Sequence, residues 1–194
     1  MTRRLPEPVY WTADDPARLA RDIAEVEAFA PDLVFEPPSA APNDTHHGRW
    51  TGILPVWPFD RSRPRGIDRL VPVGLRVEVD CSAAHPMVPP MVLPVEPEPL
   101  IIERSQHDWH VAPSGHLCLM QSVGDWTPTE SIADLLIKAC GWHIEYALMK
   151  AGVITAMTTA GIVSDDSRDH LVTTAASRSD PPTSSAGEDD RPGG

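Results

Sequence analysis

Residues 107–150 read HDWHVAPSGHLCLMQSVGDWTPTESIADLLIKACGWHIEYALMK, and the two halves of this stretch differ in kind. Residues 100–128 carry no hydrophobic period. They hold His107, His110, His116, Cys118, Asp125 and two tryptophans among apolar neighbours such as Leu117 and Leu119. The segment reads as a long structured loop, and reactive side chains on an anchored loop mark a candidate site. Residues 131–150 are periodic instead. Ile132, Leu135, Leu136, Ala139, Trp142 and Tyr146 fall on one broad face of a helix. Thr129 or Ser131 can cap its start and Gly152 can end it. A short apolar piece, VITAM (153–157), predicts another turn or two of helix.

Upstream, residues 14–30 (DDPARLARDIAEVEAFA) predict an amphipathic helix. Asp14 or Asp15 can cap it, Pro16 suits its first turn, and Leu19, Ile23, Val26 and Ala30 form the buried stripe. Four strand candidates follow: DLVFEP (32–37), RWTGILPVW (49–57), LVPVGLRVEV (70–79) and MVLPVEP (91–97). In the third, Leu75, Val77 and Val79 alternate with Arg76 and Glu78, the pattern of a half-buried strand. SAAPNDTHHG (39–48) and PFDRSRPRGIDR (58–69) read as loops. The sum is an α+β domain with an antiparallel sheet. Residues 1–12 precede it as an extension, the domain spans 13–163, and residues 164–194 read as a disordered acidic tail, because large apolar side chains vanish after Val172.

The composition narrows the function classes. The 194 residues carry a net charge of −12, which argues against bulk binding to nucleic acid or anionic lipid. No run approaches the roughly 18 apolar residues of a membrane span. The start, MTRRLPEPVYW, has no apolar run behind its arginines and does not read as a signal peptide, so the expected compartment is the cytoplasm. The three cysteines, Cys81, Cys118 and Cys140, are far apart, with no paired C-x-x-C, so neither a disulfide framework nor a four-cysteine zinc site is expected. Only Lys138 and Lys150 supply amines from side chains. Proline, at 22 residues, is well above the usual share of roughly 5 % and favours short elements and stiff loops.

Three motifs occur in order. His85-Pro86-Met87-Val88-Pro89-Pro90 is followed by Gly115-His116-Leu117-Cys118-Leu119, and then by Trp126-Thr127-Pro128, whose tryptophan lies eight residues after the cysteine. Together with the order helix, four strands, loop, helix, this resembles the ubiquitin-conjugating enzyme superfamily over roughly residues 13–155. The resemblance implies that fold: an N-terminal helix, a four-stranded antiparallel meander, an active-site loop and a central helix. It implies Cys118 as a thioester carrier, which takes a ubiquitin-like protein modifier from an activating enzyme and passes it to an amine on a protein target. It also implies a docking role for the first helix, with Arg18, Arg21, Asp22 and Glu25 outward. No cofactor is implied in this subunit, since the activating partner consumes the ATP. Two departures stand out: the family's His-Pro-Asn triplet is replaced by Asp108-Trp109-His110, and the spacer after the proline motif is long. They imply a divergent bacterial member, of the kind found in conjugation operons linked to antiphage defence.

The chemistry expected of such a carrier assigns roles. A Cys118 thiolate attacks an acyl group and an amine later displaces it, and both steps pass through an oxyanion that needs a donor. His110 can donate to it or act as a base; it equally fits a histidine that only fixes the loop. His116, two residues from Cys118, shares its side if the segment is extended. Asp125 can orient or deprotonate the amine. Other readings stay open. Cys118 between two leucines fits a buried structural thiol. His107, His110, His116 and Cys118 offer ligands that zinc prefers. A non-catalytic scaffold of the same fold is a third class. Gly193-Gly194 matches the ending of ubiquitin-like modifiers, with chance in a glycine-containing tail as the simpler reading. Cys81 and Cys140 are expected in the core, and Trp126 and Pro128 as packing residues.

Overall fold

The structure, a computed structural model, describes residues 9–41, 44–120, 122–158 and 161–178. Residues 179–194, most of the expected tail with Gly193-Gly194, lie outside the described residues. The elements in chain order are α1 (Trp11–Asp14), α2 (Pro16–Phe29), β1 (Val34–Glu36), β2 (Ser39–Ala41), β3 (Asp44–His46), β4 (Arg49–Ile53), α3 (Ile67–Leu70), β5 (Arg76–Asp80), β6 (Met91–Glu96), α4 (Ile132–Lys150), α5 (Gly161–Ser164) and α6 (Asp169–Arg178). Short 3₁₀ turns at Glu103–Ser105, His107–Trp109 and Val123–Asp125 shape the loop between β6 and α4. No helix among the described residues is long and apolar enough to cross a membrane.

The fold is mixed α+β, with a four-stranded antiparallel sheet in the order β1-β4-β5-β6. These are the four strands expected from the sequence, shorter in each case, with the third shifted to end at Asp80. Trp50, Val79 and Val92 stand opposite one another on adjacent strands and point into the core. Alternation explains β5: Val77 and Val79 are buried, while Arg76 is exposed.

Helix α2 begins where the capping signals place it. Asp15 accepts from the Arg18 backbone N–H at 2.9 Å, and Pro16 fills the first position. Ser131 caps α4 through the Ala133 N–H at 3.1 Å. A Schellman pair of bonds, from Val153 N–H to Leu148 O and from Gly152 N–H to Met149 O, both 2.9 Å, closes it. This stop overturns the expected helix at 153–157. Helix α4 is buried on most sides rather than on one face. Leu135, Leu136, Ala139, Trp142 and Tyr146 pack with the sheet and α2, while Ile144 and Leu148 join a second cluster with Phe59, Ile67, Val71, Ile162 and Val172.

That second cluster corrects the expected tail. Residues 169–178 form α6, whose Val172, Ala175 and Ala176 are buried. Small alanines among Ser, Thr and Arg carry little hydrophobic signal, yet they let α6 sit close to the chain at Gly66, near α3. Arg61 fastens the arrangement. Its guanidinium makes two bonds to the Asp169 carboxylate, at 3.0 and 3.1 Å, donates to Ile162 O, and stacks on Trp57 and Phe59. Two smaller corrections follow. Segment 39–48, expected as a loop, contains the β2–β3 hairpin, and Trp11, assigned to the extension, is a core residue at 5 % exposure.

The largest correction concerns α2. Arg18 and Asp22 were expected outward, but their side chains are 5 % and 0 % exposed. Arg18 Nε donates to both Asp22 oxygens at 2.8 Å, and its other nitrogens donate to Pro128 O and, at 3.0 Å, Glu130 O. On the other side His85 Nε2 donates to Asp22 Oδ2 at 2.9 Å. Trp126 Nε1 donates to Pro86 O at 2.9 Å. The proline motif and the Trp-Thr-Pro turn are thus locked to one helix. Arg21 and Glu25, the outer pair, reach the same turn through Thr129 O and the Ser131 hydroxyl.

Removing one partner of a buried ion pair strands the other charge. Arg18→Met is therefore expected to cost about 3–5 kcal/mol in urea unfolding, and Arg18→Met/Asp22→Leu less than the sum of the two single changes.

His143, on α4 and 8 % exposed, has its pKa lowered to about 4 by desolvation. The folded state resists a proton that the unfolded state takes up near the ordinary value, so this contribution is intact above that value and is lost as pH falls toward 4. His143→Leu is expected to remove about 2 kcal/mol of the stability loss between pH 7 and pH 5, read from urea midpoints at the two pH values.

Candidate active site

The loop after β6 folds back on itself. Val111 bridges Leu117, Ala112 N–H donates to His116 O at 2.8 Å, and Cys118 N–H donates to His110 O at 2.8 Å. Both Val111 and Leu117 are buried, and Leu117 N–H donates to Val92 O at 2.9 Å, which fixes the arch to the edge strand β6. The tip turns at Gly115, whose φ of +93° suits a residue without Cβ. This pairing sets Cys118 across from His110.

His110 is left-handed, with φ 49° and ψ 41°. That conformation costs a non-glycine residue roughly 1–2 kcal/mol, so the surroundings must hold it. They do so from both sides. His110 N–H donates to His107 O at 3.2 Å within the 3₁₀ turn, and Trp142 Nε1, on α4, donates to Trp109 O at 2.9 Å. The start of the loop is pinned as well: Glu103, 4 % exposed, accepts from Tyr146 OH at 2.9 Å and from Lys150 Nζ at 2.8 Å.

Cys118 is exposed, whereas Cys81 and Cys140 are 3 % and 2 % exposed. The reading of Cys118 as a buried structural thiol is thereby overturned, and the expected core positions of the other two are found. Desolvation pushes all three thiols above the ordinary cysteine value; at Cys81 the Asp22 and Asp80 charges add to it.

Two clefts meet at Cys118 and His110. The smaller, of about 280 Å³, lies between the loop and the middle of α4. Leu119 and Asp125 line it from the loop, Lys138, Gly141, Trp142 and Glu145 from α4, and Gly161, Val163 and Ser164 from α5. The larger, of about 590 Å³, is bounded by Arg104, Gln106, His107, Val111, Pro113 and Met120. Cys118 therefore forms part of the wall of both.

Of the residues expected at the site, Cys118, His110 and Asp125 share the smaller cleft, and His107 joins Cys118 and His110 in the larger. His116 does not join them. Its Nδ1 pairs with Ser114 Oγ at 3.1 Å and it lines neither cleft, because the turn draws its ring toward the tip. Asp125 serves structure too: its carboxylate accepts from Ser122 N–H and Ser122 Oγ, both at 2.9 Å, in a capping box. The zinc reading is also corrected. Among the described residues, the one group of three with ligand atoms within 4.8 Å of one another is Glu36, Asp44 and His46, not the loop histidines and Cys118. In that group each member already has a protein partner: Thr51 Oγ1, Arg49 Nη1 and Gly48 N–H respectively.

Sequence reasoning missed the contribution of α4. Lys138, Gly141, Trp142 and Glu145 follow the i, i+3, i+4, i+7 spacing of one helix stripe. The signal was a glycine in mid-helix between two charges. A Cβ at Gly141 would lie 2.3 Å from Val163 Cγ2, so glycine is what lets α5 close the cleft. Glu145, 2 % exposed, accepts from Arg168 Nη1 at 3.0 Å and from Thr158 N–H at 3.2 Å, and burial pushes its carboxyl pKa up. It binds the segment before α5 to α4. No family model, no curated protein and no solved structure matches the chain.

Exposure and thiol acidity set an expected alkylation pattern. Iodoacetamide on the native protein is expected to modify Cys118 alone, with Cys81 and Cys140 reacting only after unfolding. Because the Cys118 pKa is raised, its rate should still be climbing at pH 9; a plateau below pH 8, seen by peptide mapping over time, would reveal an acidic thiol instead.

Proposed function

We propose that this chain is a ubiquitin-conjugating-like acyl carrier whose nucleophile is Cys118. One observation carries the reading: the exposed cysteine stands where two clefts meet, on a loop whose flanking motifs are those of the conjugating enzymes. The order of elements supports it, as do the contacts that tie His85-Pro86 and Trp126 to the same helix.

In this reading the larger cleft, with Val111, Pro113 and Met120 on its wall, receives the extended C-terminal tail of a ubiquitin-like modifier. The Cys118 thiolate attacks the acyl carbonyl presented by an activating enzyme and releases that partner's thiol. An amine entering through the smaller cleft then attacks the thioester, the C–N bond forms, the C–S bond breaks, and the cysteine leaves as a thiolate. His110 is the donor for the oxyanion, held ready by its fixed backbone. Asp125, at the edge of the same cleft, orients the amine. The carrier belongs in a bacterial conjugation pathway with an activating enzyme and a protein target.

A second reading, a non-catalytic module of the same fold, is favoured by one observation: desolvation holds the Cys118 thiol above its ordinary pKa, and thiolate is scarce there at neutral pH. Covalent chemistry separates the two. The chain and its Cys118→Ala variant are co-expressed with the neighbouring genes and weighed intact, with and without reductant. The carrier is expected to show a protein-sized adduct that reductant removes and the variant lacks. Absence of the adduct beside a competent activating enzyme would favour the module.

A further inference from the structure

We propose that Lys138 is an acyl acceptor in cis for Cys118, so that the chain modifies itself at one position. The inference rests on the carrier reading of Cys118 and adds to it a definite amine. Both residues line the 280 Å³ cleft, one from the loop and one from α4. Helix α4 is fastened to that loop by the Trp142–Trp109 hydrogen bond, one turn beyond Lys138, so neither wall can drift away from the other.

The chain has two lysines, and their surroundings differ sharply. Lys150 is committed. Its ammonium lies 2.8 Å from the Glu103 carboxylate and 5.7 and 5.5 Å from the ring centres of Trp109 and Tyr146. To act as a nucleophile it would abandon a carboxylate that is 4 % exposed. Lys138 is exposed and makes no hydrogen bond or ion pair among the described residues. Its flexible stem can swing across the cleft at little cost. The acidic groups on its own stripe do not hold the ammonium: Asp134, one turn earlier, makes no ion pair with it among the described residues, and Glu145, two turns on, is already held by Arg168 and Thr158.

The transfer balances without a further reagent. Neutral Lys138 Nζ attacks the thioester carbonyl carbon, the C–N bond forms, and the C–S bond to Cys118 breaks. The departing thiolate takes the proton that the nitrogen loses, which leaves an amide and a free thiol. Confinement of both groups in one cleft supplies the effective concentration that makes a one-molecule reaction outrun transfer between molecules. The product places an acyl chain across the cleft through which an outside amine must come, so self-modification limits the carrier.

A synthetic peptide thioester ending in Gly-Gly serves as the acyl donor to the full chain. The expected result is a hydroxylamine-labile adduct on Cys118 that decays as a hydroxylamine-stable amide grows on the Lys138 peptide. Its first-order rate should stay constant over a roughly tenfold range of protein concentration. Lys138→Arg keeps the charge but not the nucleophile; it should keep the Cys118 adduct and lower the stable product at least about tenfold. Cys118→Ala should lose both products. Stable amide on Lys150 instead, a rate that rises with protein concentration, or hydrolysis of the Cys118 adduct with no amide would each overturn the proposal while leaving the carrier intact. Failure to charge Cys118 at all would overturn the carrier reading, and this inference with it.

Discussion

Asp22 sits at a point with no solvent exposure where three parts of the chain converge, and the rest of the structure is arranged around it. A carboxylate there is tolerable only if strong partners replace its water. Arg18, one turn earlier on α2, supplies a charge and a two-oxygen contact, and His85 supplies a ring N–H from the end of the sheet. Arg18 then spends its remaining donors on Pro128 O and Glu130 O, the backbone just ahead of α4. One buried charge therefore fixes the distances among the first helix, the sheet edge and the central helix. The remaining acceptor, His85 Nδ1, is buried without a partner among the described residues. With Nε2–H donating to Asp22, that leaves an unfilled lone pair rather than an orphaned donor, the lighter of the two penalties.

From that anchor, precision passes outward to the site. Helix α4 starts where the Arg18 and Ser131 contacts put it, and its own side chains then hold the loop: Trp142 through the Trp109 carbonyl, Tyr146 and Lys150 through Glu103. The strained backbone of His110 is affordable because the structure on both sides of it is fixed. The two clefts at Cys118 follow from this layout, since the loop stands off α4 on one side and curls over its own first turn on the other.

What could be read directly was whatever depended on local period or local capping. The Ser131 cap, the Asp15–Pro16 start and the alternation through Leu75, Val77 and Val79 each express a contact made within a few residues. What could not be read depended on partners distant in sequence. Arg18 and Asp22 were read as surface residues because they are charged, although Asp22 lies three residues after Leu19 and four before Val26 on the inward side of α2, and only the arrival of His85 and of the 128–130 backbone makes their burial stable. Residues 169–178 look like a polar tail because alanine carries weak hydrophobic signal; Ala175 and Ala176 are both buried, and at Ala176 the small side chain lets α6 sit against Gly66. The site divides the same way. Cys118 was visible from its motif and His110 from its offset to that cysteine, His116 was misplaced by a turn whose geometry no pattern specifies, and Lys138 and Glu145 were missed because they reach the cleft from a helix read only for its apolar face.

If the carrier reading proposed above holds, the thiol is one that is quiet alone. Desolvation raises the Cys118 pKa, and the cysteine is not at the head of a helix, where the backbone dipole would favour the thiolate. A carrier that stood permanently ionised would react with any electrophile that reached its exposed position. One whose thiol is protonated at rest reacts when a partner supplies the missing stabilisation, either a base at the moment of transfer or a cation brought to the cleft mouth. In the mechanism proposed above, His110 would serve after that step, because it lines both clefts and its backbone is held in one conformation. Selectivity then resides in the encounter with the partner rather than in the resting acidity of the thiol.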